Sequence, residues 1–267
     1  MRGTARLLII AGSDSGGGAG IQADLKTASA RGVYASTAIT AITAQNTQAV
    51  QAVELLSPAL VQAQIRAVLQ DIGTDAIKIG MLGSAPIAQG VAQLLSEQDI
   101  PVVLDPVMIA KSGDALLDPD AVAVLRGQLL GQATLLTPNL PEAACLLNAP
   151  VAKTAEQIRD QGRALMGMGA RAVLMKGGHA AGPVCTDWLL SADGVQAFEA
   201  PRIDSPNTHG TGCSLSSAIA SELAKGRGLV QAVAAAHGWL QGAIRAADRL
   251  QIGQGHGPVH HFHEIWA

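Results

Sequence analysis

The strongest constraint on this chain is its rhythm. Short β-branched or apolar runs alternate with segments of helical periodicity almost to the end. "RLLII" reads as a strand, followed by a Gly-rich loop and the helix "AGIQADLKTASARG". "STAITAIT" reads as the next strand and "PALVQAQIRAVLQDIG" as a helix opened by Pro58. "DAIKIGM" is a strand, and "SAPIAQGVAQLLSEQ" a helix with Ser84 as its N-cap. The strands "PVVLDP", "ATLLTP" and "RAVLMKGG" alternate with the helices "PDAVAVLRGQLL", "LPEAACLLN" and "AEQIRDQGRALMGMG". "CTDWLLS" and "VQAFEAPRI" read as an antiparallel pair around "ADG". Two helices follow, from about Gly212 to Lys225 and from about Leu229 to Asp248. This alternation predicts an α/β fold, a mostly parallel central sheet with helices on both faces. No internal repeat or linker-like stretch interrupts it, so residues 1–267 read as a single domain.

Composition removes several function classes. A net charge of -3 provides no electrostatic footprint for nucleic acid or an anionic membrane. Two Phe, three Trp and one Tyr are too few for base-stacking on single strands, so a flat ligand must be held by aliphatic walls and polar contacts. No run is long and apolar enough to span a bilayer, and the patch after "MRGTAR" is too short for a secretion signal. Cys145, Cys185 and Cys213 are odd in number and widely spaced, which suits a reducing cytosol rather than a disulfide framework.

In parallel sheets ligands sit beyond the carboxyl ends of the strands. The residues that follow the strands here are rich in chemistry: Gly12–Gly20, Gln45–Asn46, Lys78–Met81, Asp105–Met108, Thr137–Glu142 and Lys176–His179. The segment "NTHGTGCSLSSAIA" carries the strongest signal. Backbone N–H groups of Gly210, Thr211, Gly212 and Cys213 can turn toward one point, and the following helix adds the positive end of its dipole. That arrangement suits a phosphoryl group in flight; the plainer alternative is a Gly-rich turn capping a core helix. Asp105 at a strand end is an oxygen ligand of the kind Mg²⁺ prefers. Lys176 is a phosphate counter-charge or a solvent-facing lysine. Gln45 carries a donor and an acceptor on one amide, although alone it reads as a loop residue. Gly12, Asp24 and Met81 are weaker candidates for contact with a ligand: Asp24 reads equally as a solvated charge and Met81 as core. The loop "GSDSGGGAG" lacks the GK[ST] ending of a P-loop. The histidines His256, His260, His261 and His263 read as part of a docking tail rather than a metal site.

"HGTGCSLSSAIA" resembles the anion-hole segment of the ribokinase-like superfamily. Specifically it is similar to that of the hydroxymethylpyrimidine/phosphomethylpyrimidine kinases of thiamine biosynthesis, which carry Cys where sugar kinases carry Asp. "AGSDSGGGAGIQADLKT", "TAQNT", "KIGMLGS", "VVLDPVMIAKSGDALL", "LLTPNLPEA", "VLMKGGH" and "GPVHHFH" also match, in order and over nearly the whole chain. The resemblance implies a ribokinase-like fold, ATP and Mg²⁺, and a cytoplasmic homodimer. It implies a pyrimidine pocket of Gln45, Gly12, Asp24 and Met81, and a nucleotide site of Asn139, Glu142, Lys176 and Thr211. Asp105 and Glu142 would hold the metal, and Cys213 with Gly210–Gly212 would form the reacting end. "AKSGD" resembles the family's flap, with Lys111 reaching a phosphate. The chain departs from the family at Ser15 and Gly16, where Pro and Ser are usual; losing Pro and gaining Gly predicts a looser loop.

The implied activity is phosphorylation of 4-amino-5-hydroxymethyl-2-methylpyrimidine and then of its monophosphate. A small uncharged residue at position 213 suits the second step, because a fixed carboxylate would repel the incoming phosphate. A thiol at a helix start is expected to have its pKa lowered toward the working range. The rival readings are a pyridoxal or pyridoxine kinase of the same superfamily and a non-catalytic nucleotide-binding protein.

Overall fold

The structure is a computed structural model, and it describes residues 3–108, 118–179 and 182–266. The strands are β1 (Arg6–Ala11), β2 (Tyr34–Ile39), β3 (Ala41–Gln45), β4 (Val50–Leu55), β5 (Ala76–Ile79), β6 (Val102–Leu104), β7 (Leu135–Leu136), β8 (Val173–Met175), β9 (Val184–Ser191) and β10 (Gly194–Pro201). The α-helices are α1 (Gly20–Ala30), α2 (Pro58–Ala67), α3 (Ala85–Leu95), α4 (Pro119–Val124), α5 (Leu140–Leu147), α6 (Ala155–Gly167), α7 (Thr211–Ala224) and α8 (Leu229–Arg245).

Among the described residues the main sheet has eight strands in the order β10-β9-β8-β7-β6-β5-β1-β2. β2, β1, β5, β6, β7 and β8 run parallel, while β9 and β10 are antiparallel at one edge. β1 shows why the sheet needs helices on both sides. Leu8 and Ile10 enter one buried cluster with residues of α2, α3, α5 and α6. Leu7, Ile9 and Ala11 enter the other with residues of α1, α7 and α8. The period-2 pleat sends alternate residues to opposite faces, and both faces are apolar.

Strand order reverses between β1 and β5, and in sheets of this kind ligands bind beyond the strand ends at such a switch point. Gly12 follows β1 and Met81 follows β5. A Cβ on Gly12 would stand 2.7 Å from Met81 Cε, so the missing side chain lets the two loops meet.

Two expectations are corrected. "STAITAIT" is not one strand. The chain leaves the main sheet at Thr40, whose hydroxyl donates to Met81 O at 2.7 Å. β3 then pairs antiparallel with β4 in a separate hairpin. β4 escaped detection because nearly all of it is exposed, so neither of its faces carries an apolar alternation. Ser84 occupies the N-cap position of α3, but its side chain makes no capping bond.

Candidate active site

The strands end in a bonded set of charges. Asp105, after β6, is almost fully buried. Its Oδ1 accepts from Lys176 Nζ at 2.8 Å and from Thr137 Oγ1 at 3.1 Å. Its Oδ2 accepts from Ser216 Oγ of α7 at 3.3 Å. Burial alone would raise its pKa, but Lys176 and Lys78 outweigh burial and hold the carboxyl below its usual range. Lys176 follows β8 and also lies 3.8 Å from Glu142 Oε2. Burial would lower its pKa; Asp105 and Glu142 reverse that and keep it protonated.

Asn139 and Glu142 form a capping box at the start of α5. Asn139 Oδ1 accepts from the Glu142 N–H at 2.8 Å, and Glu142 Oε2 accepts from the Asn139 N–H at 2.7 Å. The box orients Glu142 toward Lys176. Burial lifts the Glu142 pKa to about 7, with Lys176 opposing and Asp105 adding to the rise.

α7 closes this end of the site. Gly210 takes the left-handed conformation, φ 78°, that glycine adopts without strain. A Cβ there would collide with Gly18 O, so the α7 turn and the Gly-rich loop lie in direct contact. A Cβ on Gly212 would stand 3.3 Å from Lys176 Nζ and 3.7 Å from Asp105 Oδ2. Thr211, Gly212 and Cys213 begin the helix, and first-turn N–H groups have no partner within a helix. This turn, bare of side chains at its glycines, therefore faces the Lys176 ammonium.

Cys213 departs from expectation. Burial pushes its thiol up to about 11; Lys78 pulls it down, Asp24 and Asp105 push it further up, and the Gly20 N–H bond lowers it. The helix start does not win, because the thiol stands among carboxylates in a poorly solvated place.

Asp24 is fully buried and not a solvated charge. It projects from α1, where Lys78 Nζ reaches its Oδ2 at 2.8 Å and Ser217 Oγ its Oδ1 at 2.6 Å. Lys78 occupies the same face of β5 as Ala76, so the pleat aims it between α1 and α7. Burial would lower its pKa, but Asp24, Cys213 and Asp105 keep the ammonium charged.

The pyrimidine candidates do not all come together: Asp24 lies with Lys78 and Ser217, while Gln45 faces Thr43 and His209. Gln45 ends β3, with Oε1 3.4 Å from Thr43 Oγ1 and Nε2 3.5 Å from His209 Nε2. A small cavity lies against Gln45, Asn46, His209 and His256. Gly12 and Met81 meet as described. The loop between β1 and α1 is tied down, contrary to expectation. The Asp14 carboxylate accepts from the N–H groups of Gly16, Gly18 and Ala19 and lies 2.9 Å from His209 Nε2. Ser15, where Pro is usual, exchanges two bonds of 2.7 Å with the backbone of Gln45. These bonds replace the stiffness that the proline would have supplied.

Sequence reasoning placed Asp14, Lys78 and Thr137 within the segments that follow the strands without giving any of them a role, and it missed Ser216 and His209. Asp14 and His209 stand inside the two glycine-rich segments, and a polar residue within such a turn was the available signal. Ser216 gave none, because a serine in a helix acquires meaning only from tertiary contact. The tail docks as read: His209 N–H donates to Gly257 O at 3.0 Å, and Ser214 Oγ lies 3.0 Å from His261 Nε2. Lys111 lies outside the described residues.

The family model described as phosphomethylpyrimidine kinase matches residues 14–260. A hydroxymethylpyrimidine/phosphomethylpyrimidine kinase from Escherichia coli K12 is 53% identical over 260 residues, covering 97% of this chain and 98% of that protein. The crystal structure of a phosphomethylpyrimidine kinase from Clostridium difficile is 41% identical with a TM-score of 0.81, covering 90% of this chain and 100% of that one. An ADP complex of Bacillus subtilis pyridoxal kinase is 36% identical with a TM-score of 0.89, covering 97% of this chain and 98% of that one. The fold is thus ribokinase-like, and from matches that reach from the Gly-rich loop to the docked tail it follows that the chain belongs to the phosphomethylpyrimidine kinase family.

Proposed function

We propose that the chain phosphorylates 4-amino-5-hydroxymethyl-2-methylpyrimidine with ATP, and then its monophosphate to the diphosphate, in thiamine biosynthesis. The carrying observation is the meeting of Lys176, Asp105 and Glu142 with the open turn of α7. Lys176 counters the transferring phosphoryl group, and the N–H groups at Gly210–Cys213 take up its charge. Asn139, Glu142 and Thr211 bind the nucleotide end; Gln45, Gly12, Met81 and the buried Asp24 form the pyrimidine end.

The residues present fit Mg²⁺. Two carboxylates share one ammonium, and Glu142 stays ionised only with difficulty, so the donor set is oxygen-rich and short of positive charge. Asp105 and Glu142 would hold the ion, which when bound neutralises phosphate charge.

Cys213 takes the proton of the alcohol in the first phosphorylation. With its thiol near 11, roughly one chain in ten thousand carries thiolate at pH 7. The acceptor of the second reaction is already ionised and needs no base. Loss of the thiol therefore slows the first step more than the second.

A single assay with ATP and three acceptors, resolved by product mass, tests the reading. Turnover of hydroxymethylpyrimidine and its monophosphate is expected. Product from pyridoxal alone would transfer the chain to the activity named for its Bacillus subtilis neighbour. ATP binding with no product from any acceptor would leave a nucleotide-binding protein.

A further inference from the structure

Fixing the turn Gly210–Cys213 is costly, because two of its four residues are glycines, which lose the most conformational freedom on folding. The residues that flank the turn, His209 and Ser214, are both tied to one segment, the tail that follows α8. On one side, the His209 N–H donates to Gly257 O at 3.0 Å, and His209 O accepts from the Val259 N–H at 3.4 Å. His209 and Pro258 pair there as a parallel bridge. On the other side, Ser214 Oγ and His261 Nε2 lie 3.0 Å apart, and both residues are buried. Burial, with Lys26 and His260 adding to it, pushes the His261 pKa down to about 3, so the bond joins two uncharged groups at neutral pH. The tail is itself anchored on α8. The His260 N–H donates to Ala243 O at 3.0 Å, and a Cβ on Gly242 would collide with the His263 ring. Residues 257–261 thus reach both ends of the turn from a fixed base.

We propose that the tail segment 257–261 is a strap that presets the anion turn for the phosphoryl group in flight, with His261 as a positioning residue that acts through Ser214. The proposal rests on the reading of this turn as the place where the phosphoryl group is transferred. Backbone N–H groups stabilise a developing charge best when they already point at it, because turning them during the reaction costs free energy. Ser214 directly follows Cys213, so backbone freedom allowed at Ser214 also displaces the first N–H groups of α7 and the thiol. The Gly-rich loop is held by the same strap. A Cβ on Gly18 would stand 3.1 Å from Pro258 Cβ, and Gly18 O is the atom that a Cβ on Gly210 would strike. Just before the strap, the His256 N–H donates to Thr47 O at 2.9 Å, two residues beyond Gln45. The tail therefore runs from the acceptor end of the site to its reacting end.

His261→Ala should lower kcat for hydroxymethylpyrimidine about ten- to a hundredfold, with KM for ATP nearly unchanged. With hydroxymethylpyrimidine present, the same variant should lose affinity for ADP with aluminium fluoride, which imitates the phosphoryl group in flight, by a similar factor, and keep its affinity for ADP alone. Ser214→Ala should reproduce both effects, and it carries the test if His261→Ala does not fold. The double variant should lose no more than the stronger single one, because both substitutions break one bond. His261→Gln, which returns a polar group near the position of Nε2, should recover part of the loss. Equal losses for ADP and for its aluminium fluoride complex would reduce His261 to a packing residue and overturn the proposal, as would losses that multiply in the double variant. The wild-type protein separates this idea from the reading beneath it. If aluminium fluoride does not tighten its hold on ADP, the turn is not the phosphoryl site and both ideas fall. If the wild type shows that gain and the His261 and Ser214 variants keep it, only the strap falls.

Discussion

Cys213 stands where two local influences oppose each other, and the outcome fixes what it does at neutral pH. A helix start favours the thiolate; burial beside Asp24 and Asp105 favours the thiol, and the thiol prevails. Alkylation of Cys213 by iodoacetamide should therefore quicken about tenfold per pH unit from pH 7 to pH 10. A plateau by pH 8 would contradict the raised pKa. The first phosphorylation should follow the same slope while the second stays flat, and Cys213→Ala should lower the first by about a hundredfold and the second far less. Equal losses would assign position 213 to packing or to the anion turn. Residue type and position were legible in "GTGC", but the direction of the shift was not. It depends on Asp24, Asp105 and Lys78, which lie far from Cys213 in sequence and reach it only through the folded arrangement of α1 and the sheet.

At the scale of an element, α5 shows how one residue serves fold and site together. Glu142 caps the helix through the Asn139 N–H while its carboxylate is crowded by Asp105 and by burial. Its proton is held up to about pH 7 in the folded chain and lost near the ordinary carboxylate value in the unfolded one. Between those values the folded state binds more protons, so stability falls as pH rises. Glu142→Gln keeps the cap and removes the charge. It should raise Tm of the ligand-free protein at pH 8, by roughly 1–3 kcal/mol in stability, with little change at pH 5, and it should weaken nucleotide–Mg²⁺ binding. A calorimetric Tm that rises equally at both pH values would refute the linkage. The Lys78–Asp24 pair joins β5, α1 and, through Ser217, α7. Lys78→Met alone should cost about 3–5 kcal/mol in urea unfolding, because it strands a buried carboxylate. Adding Asp24→Leu should recover most of that loss; no recovery would mean the pair is not the source. Helix positions were readable from periodicity and from Pro58 at the start of α2, whereas β4 was not, because an exposed hairpin imposes no apolar alternation.

For the whole molecule, the alternation of strand and helix was enough to specify a doubly covered parallel sheet, since every interior strand must hide two faces. It did not show that β3 and β4 leave that sheet. Their hairpin exposes Val53 at 44% and Leu55 at 41% on one face and Ile42 at 45% on the other. If two copies of the chain pair through the Val53–Leu55 face, Val53→Asp should shift a sedimenting homodimer toward monomer; an unshifted dimer would place the contact elsewhere. None of the helices described is long and apolar enough to cross a membrane.

The cage around Asp14 has a consequence for how the protein is made. The loop of residues 12–20 is made long before His209, which faces its carboxylate, and Gly257, which holds His209. A nascent chain therefore carries this loop for a long stretch of synthesis with its partner still unmade. Stalled chains ending near residue 200 should therefore bind neither acceptor nor nucleotide, however much of the sheet they have assembled. Catalytic competence would then appear late and in one step, once the tail has docked.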